Sequence, residues 1–222
     1  MEKHKVIILI IVTIIISFIT IIFSYFGLFR YLYLHIQHSN GFIERYSTLP
    51  KCVKDRVVIS FSITPNNIDK LKPMINSILD QTVKVDQIAL FIPYEYEDNK
   101  DNIPQYIKDV ANIFSCGKDY DKGTKLIPML LREKECDTTI ISLDNNIVYG
   151  KDFIYTMLEE SKKNPNTTLI DKKGVAILVK PEHFGYDVIN REKDNFDNTW
   201  FINKAKDSKV INYEKNYKIL GF

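Results

Sequence analysis

The sequence predicts an α/β domain with an open, mostly parallel sheet flanked by helices, preceded by one transmembrane helix. Three observations predict it. Residues 6–29 are apolar and contain no charged side chain. From residue 56 onward, short apolar runs alternate with segments of helical periodicity, which is typical of a parallel sheet with helices on its faces. One of these runs ends at polar side chains, as strands do where a parallel sheet meets a ligand.

The apolar segment at residues 6–29 is long enough to cross a bilayer, since about 20 apolar residues suffice. A cleaved signal peptide is the alternative. Its apolar region usually spans only about 7–15 residues and precedes a cleavage site of small residues. The segment is longer than that and is followed by the bulky Leu28 and Phe29. The sequence therefore favours a signal-anchor.

Basic residues predict the orientation of this anchor. Lys3 and Lys5 precede it, and Arg30 follows it. The positive-inside rule then favours a cytoplasmic N-terminus at residues 1–5 and a domain that lies in the lumen or outside the cell. The prediction is a single-pass type II membrane protein.

The charge pattern and the cysteines limit the function classes. The 30 basic and 28 acidic residues leave a net charge of +2 and are mixed along the chain, which argues against a nucleic-acid partner. Cys52, Cys116 and Cys136 lack metal-ligand spacing, so either one disulfide and a thiol or three thiols fit. Asn166 begins an N-glycosylation sequon in a polar loop.

The elements follow in order after the anchor. Residues 30–55 read as a stem, because aromatic residues suited to the membrane interface give way to polar ones. Residues 56–222 form the predicted domain. Its strands are apolar runs, and its helices carry apolar residues at helical spacing. The predicted strands are residues 56–61, 87–92, 112–115, 138–143, 174–179 and 209–212, and the predicted helices are residues 67–80, 103–110, 124–135, 152–162 and 197–205.

Polar residues at the end of the strand at 138–143 are the first candidates for a site. The strand stops at Asp144, followed by Asn145 and Asn146. Carboxylate and amide oxygens are ligands for hard divalent cations, which in turn can neutralise a diphosphate. Lys125, at the start of a predicted helix, is placed to reach a phosphate or to pair with Asp144.

Three other residues have two interpretations each. Asp119 can bind a base, a ribose or sugar hydroxyls, or can cap its own loop. Tyr120 can pack on a ring or cover the sheet edge. Asp197 opens a helix, where Asp is a favoured N-cap, and it is also able to act as a base toward a hydroxyl group.

Three sequence blocks, in order, resemble a GT-A-fold glycosyltransferase of the family-2-like kind. The blocks begin with Ser62-Ile-Thr-Pro65, with Cys116-Gly-Lys-Asp119-Tyr120-Asp-Lys-Gly-Thr124-Lys125-Leu126 followed by Asp144-Asn145-Asn146-Ile-Val-Tyr149, and with Gly174-Val-Ala-Ile-Leu-Val-Lys-Pro181 followed by Asp197-Asn198-Thr199-Trp200. They cover residues 56–210, nearly the whole predicted domain. The resemblance implies a GT-A (nucleotide-diphospho-sugar transferase) fold.

The resemblance also implies roles for matching residues. It implies Asp197 as the catalytic base, Asp144 and Asn146 as ligands of a divalent metal, Mn or Mg, and a set of donor-binding residues. That set is Ser62, Thr64, Asp119, Tyr120, Lys125 and Asp144. The family's Asp triplet is here Asp144-Asn145-Asn146, a degenerate Asp-x-Asp motif, and its Asp-Asp pair is Asp197-Asn198. Each Asn removes a negative charge, so metal affinity should fall.

These features lead to two functional hypotheses. The first is a membrane-anchored glycosyltransferase that moves a sugar from a nucleotide-sugar donor to a glycan, lipid or protein acceptor. The alternative is a catalytically inactive GT-A-like domain that serves as a membrane-tethered binding or assembly protein, as the replaced carboxylates suggest. An unrelated membrane-anchored α/β protein is the third interpretation, and the strand order distinguishes it from the other two.

Overall fold

The computed structural model divides into two compact units, Met1–Gln37 and His38–Phe222. It describes residues 2–25, 27–64, 68, 70–133, 135, 137–184, 198–213 and 217–219.

The first unit consists of two helices, α1 (Glu2–Tyr25) and α2 (Leu28–Ile36). Within α1, Lys3–Tyr25 is long and apolar enough to cross a membrane. The hydroxyls of Thr13 and Thr20 donate to the carbonyls of Leu9 and Ile16, at 2.9 and 2.8 Å. These bonds let polar side chains sit in an apolar helix.

The second unit contains six helices, nine strands and three short 3₁₀ helices among the residues described. The helices are α3 (Ser39–Ser47), α4 (Lys72–Leu79), α5 (Gln105–Lys108), α6 (Ile127–Arg132), α7 (Phe153–Lys163) and α8 (Asn198–Lys204). The strands are β1 (Val57–Ser62), β2 (Gln87–Pro93), β3 (Asn112–Cys116), β4 (Thr139–Leu143), β5 (Ile147–Tyr149), β6 (Thr168–Asp171), β7 (Ala176–Val179), β8 (Ser208–Ile211) and β9 (Tyr217–Ile219). The 3₁₀ helices are Tyr94–Asn102, Asp121–Gly123 and Pro181–His183.

Seven strands form one mixed, mostly parallel sheet in the order β3-β2-β1-β4-β7-β6-β8. Strand β1 is parallel to β2 and β4, β2 is parallel to β3, and β6 is parallel to β8. Strand β7 is antiparallel to both β4 and β6. Strands β5 and β9 form a separate antiparallel pair. This arrangement confirms the predicted α/β fold class.

The central strands are apolar because both faces of the sheet are covered. All five residues of β4 are buried, and so are five of the six residues of β1. Near-continuous apolar runs are expected in parallel strands that are buried on both sides. Apolar side chains of β1, β2, β4, β7, α6 and α8 share one core cluster. This rigid centre fixes where the ends of β1 and β4 lie.

The predicted helix at residues 124–135 is shorter in the structure. Thr124 and Leu126 instead donate to Asp121 and Gly123 in a tight turn, and α6 begins only at Ile127. Pro128 occupies the first turn of α6, where its missing N–H costs no hydrogen bond. The helix ends before Glu133, which is extended. Lys125 therefore lies in a turn rather than at a helix start.

The second unit begins at His38, within the segment predicted as a stem. Helix α3 is held to the domain by an ion pair between Arg45 and the buried Asp80. The Tyr46 hydroxyl accepts a hydrogen bond from the Val85 N–H at 3.0 Å. Burial raises the pKa of Tyr46 to about 12. Residues 39–47 thus form an integral helix of the folded unit.

Candidate functional site at the ends of β1 and β4

A cavity of about 630 Å³ opens at the carboxyl end of β1. Because β1 and β4 are parallel neighbours, their carboxyl ends meet at the same edge of the sheet. The cavity is lined by Ser62, Ile63, Thr64, Pro93, Asp119, Asp121, Lys122, Thr124 and Asn145. Three donor-binding residues predicted from the sequence, Ser62, Thr64 and Asp119, therefore line the cavity. A fourth, Asp144, directly precedes the cavity-lining Asn145 in the chain.

Lys125 and Asp144 form an ion pair at this edge of the sheet. Lys125 Nζ lies 2.5 Å from Asp144 Oδ1 and 3.3 Å from the carbonyl oxygen of Gly174. The Lys125 side chain is 6% exposed, whereas that of Asp144 is 36% exposed. The sequence predicted two alternatives for the Lys125 ammonium, contact with a phosphate or pairing with Asp144. In the structure it is paired with Asp144.

Two buried serines fix the turn that carries Lys125. Ser60 in β1 and Ser142 in β4 are directly opposite each other in the parallel register. Their hydroxyls donate to the Lys125 carbonyl oxygen at 2.5 and 3.3 Å. Neither serine was among the site residues predicted from the sequence. The signal was available, since a hydroxyl in a fully buried strand needs a partner.

The backbone of Asp144 is fixed by Val175, the residue before β7, and by Tyr149. Its N–H donates to the Val175 carbonyl at 2.9 Å, and its carbonyl oxygen lies 3.0 Å from the Tyr149 hydroxyl. Burial, and then the nearby Asp144 charge, raise the pKa of Tyr149 well above its ordinary value. Tyr149 therefore stays a neutral donor at physiological pH.

The two asparagines that follow Asp144 have different environments. The Asn145 amide nitrogen donates to the Ser62 carbonyl oxygen at 2.8 Å and so links the ends of β4 and β1. Asn146 is exposed in the turn before β5. Asn145 is thus a structural bridge at the cavity wall, a role that an aspartate cannot perform because it has no donor.

Asp119 shapes the loop beside the cavity. Its Oδ1 accepts hydrogen bonds from the Thr124 hydroxyl at 2.7 Å and from the Asp121 N–H at 2.9 Å. The Thr124 hydroxyl oxygen accepts the Tyr120 N–H at 2.7 Å. Asp121 has a left-handed backbone, with φ of 52°. The loop-capping interpretation of Asp119 is therefore correct in geometry, and the same residue also lines the cavity.

Tyr120 and Trp200 both pack against the hydrophobic core while remaining partly accessible. The Lys118 ammonium lies 5.0 Å from the Tyr120 ring centroid. Trp200 makes an edge-to-face contact with Phe201, with centroids 5.1 Å apart. Tyr120 therefore covers the core beside the site, and Trp200 is largely a core residue.

Other residues named from the sequence either do not line the cavity or lie outside the described part of the chain. Asp197 is outside the residues that the structure describes. Asn166 is exposed in the loop before β6, but Thr168 of its sequon is buried and lies 3.1 Å from His183 Nδ1. Cys52 and Cys116 are free thiols, and Cys136 is not among the described residues.

The described part of the chain offers few ligands to a divalent metal ion. It contains no group of three His, Cys, Asp or Glu side chains placed to hold one. Asp144 is neutralised by Lys125, and the Asn145 amide is bonded to Ser62. Hard cations prefer several oxygen ligands, usually with more than one carboxylate. The ammonium of Lys125 thus supplies the positive charge beside Asp144.

The strand order, together with the flanking helices, defines a GT-A-like fold. A search against protein-family models finds no match. The solved structure of 4-diphosphocytidyl-2C-methyl-D-erythritol synthase from Anaerococcus prevotii DSM 20548 is similar, with a TM-score of 0.50, 11% identity, and coverage of 75% of this chain and 93% of that one. At this identity the similarity establishes the fold alone, and it confirms the predicted one.

Two further similarities were found. The glycosyltransferase GlyE of Streptococcus pneumoniae TIGR4 has a TM-score of 0.47 and 14% identity, and the match covers 74% of this chain but only 47% of GlyE. In sequence, uncharacterized protein 111R of Invertebrate iridescent virus 6 is 28% identical over 130 residues, which are 57% of this chain and 67% of that protein.

Proposed function

We propose that this chain is a membrane-anchored glycosyltransferase. It would bind a nucleotide-sugar at the ends of β1 and β4 and transfer the sugar to a glycan, lipid or protein acceptor. The observation that carries the proposal is the cavity of about 630 Å³ at the carboxyl end of β1, in a GT-A-like fold, next to the Lys125–Asp144 pair. Ligands of open α/β sheets bind at this edge, outside the carboxyl ends of the strands.

The cavity offers the groups that a nucleoside diphosphate needs. Ser62 and Thr64 contribute hydroxyls, Asp119 contributes a carboxylate that can accept from a base or a ribose, and Lys122 contributes an exposed cation. A diphosphate requires positive charge nearby, which Lys and Arg can supply. In the transfer, the acceptor oxygen would bond to the sugar's anomeric carbon as the bond to the diphosphate breaks. Asp197 is the residue proposed to take the acceptor proton.

Membrane anchoring and orientation belong to the same proposal. The helix Lys3–Tyr25 supports a single membrane span. The excess of basic residues before it supports a type II orientation, with the second unit in the lumen or outside the cell. An acceptor on the same side of the membrane follows from that orientation.

The proposal is tested by titrating the full-length chain, in detergent, with UDP, GDP and CDP, both with Mn²⁺ and with EDTA. At least one nucleotide is expected to bind, and Lys122→Glu should weaken that binding by at least about fivefold, since it places a negative charge beside the diphosphate. Lys172→Glu is the matched control, because Lys172 is exposed and does not line the cavity. Absence of binding by every nucleotide in both buffers would refute the proposal.

A specific observation favours the second candidate, an inactive GT-A-like binding protein. Asp144 is already paired with a cation, and Asn145 is committed to the Ser62 carbonyl. Nucleotide-sugar hydrolysis separates the two candidates. Nucleotide binding without hydrolysis or transfer from any of the corresponding sugar donors would favour the binding protein.

A further inference from the structure

The Lys125 ammonium is held in a built and largely buried position. Its side chain is 6% exposed, and its described acceptors are Asp144 Oδ1 and the Gly174 carbonyl. Gly174 has a left-handed backbone, with φ of 68°, a conformation that residues other than glycine rarely adopt. The turn that carries Lys125 is fixed independently by Ser60 and Ser142. The structure thus contains several features that keep this ammonium against Asp144.

A divalent cation at Asp144 would compete with this arrangement. To bind the Oδ1 atom it would have to displace the ammonium, which would then be buried without its anion. The next two residues cannot compensate with charge, because Asn145 and Asn146 are neutral and the Asn145 amide is bonded to the Ser62 carbonyl. The local charges therefore already balance without a metal.

We infer that Lys125 is the permanent countercharge of Asp144, and that the site binds a nucleoside diphosphate without a divalent cation. The inference rests on the proposed function, because it concerns the same donor site. With the carboxylate neutralised, an incoming diphosphate does not meet an uncompensated negative charge at the strand end. Lys125 acts here as a positioning residue, through Asp144.

The test compares nucleotide affinity in EDTA and in Mn²⁺ for the full-length chain in detergent, using whichever of UDP, GDP and CDP binds most tightly. For the native chain the two dissociation constants should agree within about twofold, since no metal-bound form contributes. Lys125→Met keeps the length of the side chain but removes its charge. In EDTA this variant should bind at least about tenfold more weakly, and Mn²⁺ should restore the affinity because the carboxylate is now free.

Lys172→Met is the matched control, since it removes an exposed lysine two residues before Gly174. It should behave like the native chain in both buffers. A purely structural role of Lys125 would weaken binding equally in EDTA and Mn²⁺, so rescue by Mn²⁺ is the distinguishing result. Equal weakening in both buffers would overturn the inference.

A second measurement does not depend on the folding of any variant. Electron paramagnetic resonance of Mn²⁺ mixed with the native chain and the nucleotide should show the same signal intensity as Mn²⁺ mixed with the nucleotide alone. Stoichiometric loss of that signal, or nucleotide binding in Mn²⁺ but not in EDTA, would overturn the inference while leaving the proposed function intact. If the nucleotide binds in neither buffer, the proposed function is refuted, and this inference with it.

Discussion

The bridge from Asn145 to Ser62 gives a sharp prediction, because its neighbour supplies a matched control. Asn145→Asp replaces a donor by an acceptor at an atom 2.8 Å from a carbonyl oxygen. The variant loses this hydrogen bond and leaves a partly buried acceptor facing another acceptor, which costs about 1–3 kcal/mol of stability.

Asn146→Asp adds the same charge one residue later, but Asn146 is exposed. Surface substitutions of this kind usually change stability by less than about 0.5 kcal/mol. For a domain of this size each kcal/mol shifts Tm by about 2–4 °C. Calorimetry of the full-length chain in detergent should therefore show Tm lower by about 2–12 °C for Asn145→Asp, and nearly unchanged for Asn146→Asp.

The comparison also bears on the family motif. If Asn145→Asp proved as stable as Asn146→Asp, the bridge between β1 and β4 would contribute nothing, and the structural reason given for an asparagine at position 145 would be refuted. If the difference appears, an aspartate at this position is incompatible with the cavity wall as it stands.

Two other predictions concern buried polar groups of the same unit. Burial lowers the pKa of His183, whose Nδ1 accepts the Lys180 N–H at 3.3 Å. The stability that neutral His183 contributes is therefore present above the unfolded pKa of about 6.5 and is lost as the pH falls below it. Tm should drop between pH 7 and 5, and an equally steep drop in His183→Gln would contradict this origin. Tyr217→Phe removes a 2.8 Å hydrogen bond to the buried Asp171. Thermal unfolding should show a loss of stability of about 1.5–3 kcal/mol. A Tm within about 1 °C of the native value would show that the bond is not stabilising.

The sequence predicted the large sheet well, because long apolar runs bounded by polar residues leave few alternatives. Strands β1, β2, β3, β4, β7 and β8 all lie within about two residues of their predicted positions. Strands β5 and β9 were missed. Each has three described residues, and they pair with each other across a long stretch of the chain, so no local pattern indicates them. Strand β6 was missed for a related reason, since its four residues follow the polar loop at Asn166.

The site was predicted by position better than by chemistry. The sequence predicted that Lys125 could reach Asp144 at the end of one strand. The structure confirms this contact, with Lys125 Nζ 2.5 Å from Asp144 Oδ1. The sequence could not show that the ammonium is buried against the carboxylate, because this depends on the turn fixed by Ser60 and Ser142. The helix expected at Lys125 was wrong, since Pro128 delays α6. The roles of Asp197, Asn146 and a metal stay predictions.

The most direct test of the account is a crystal structure of the chain grown with a nucleoside diphosphate and Mn²⁺, with anomalous scattering recorded for manganese. The account predicts nucleotide density in the cavity bounded by Ser62, Thr64 and Asp119, with Lys125 still paired to Asp144 and no anomalous peak beside that carboxylate. Nucleotide bound elsewhere, or no nucleotide, would contradict the proposed site. A manganese peak on Asp144 would contradict the metal-independent binding inferred from the ion pair.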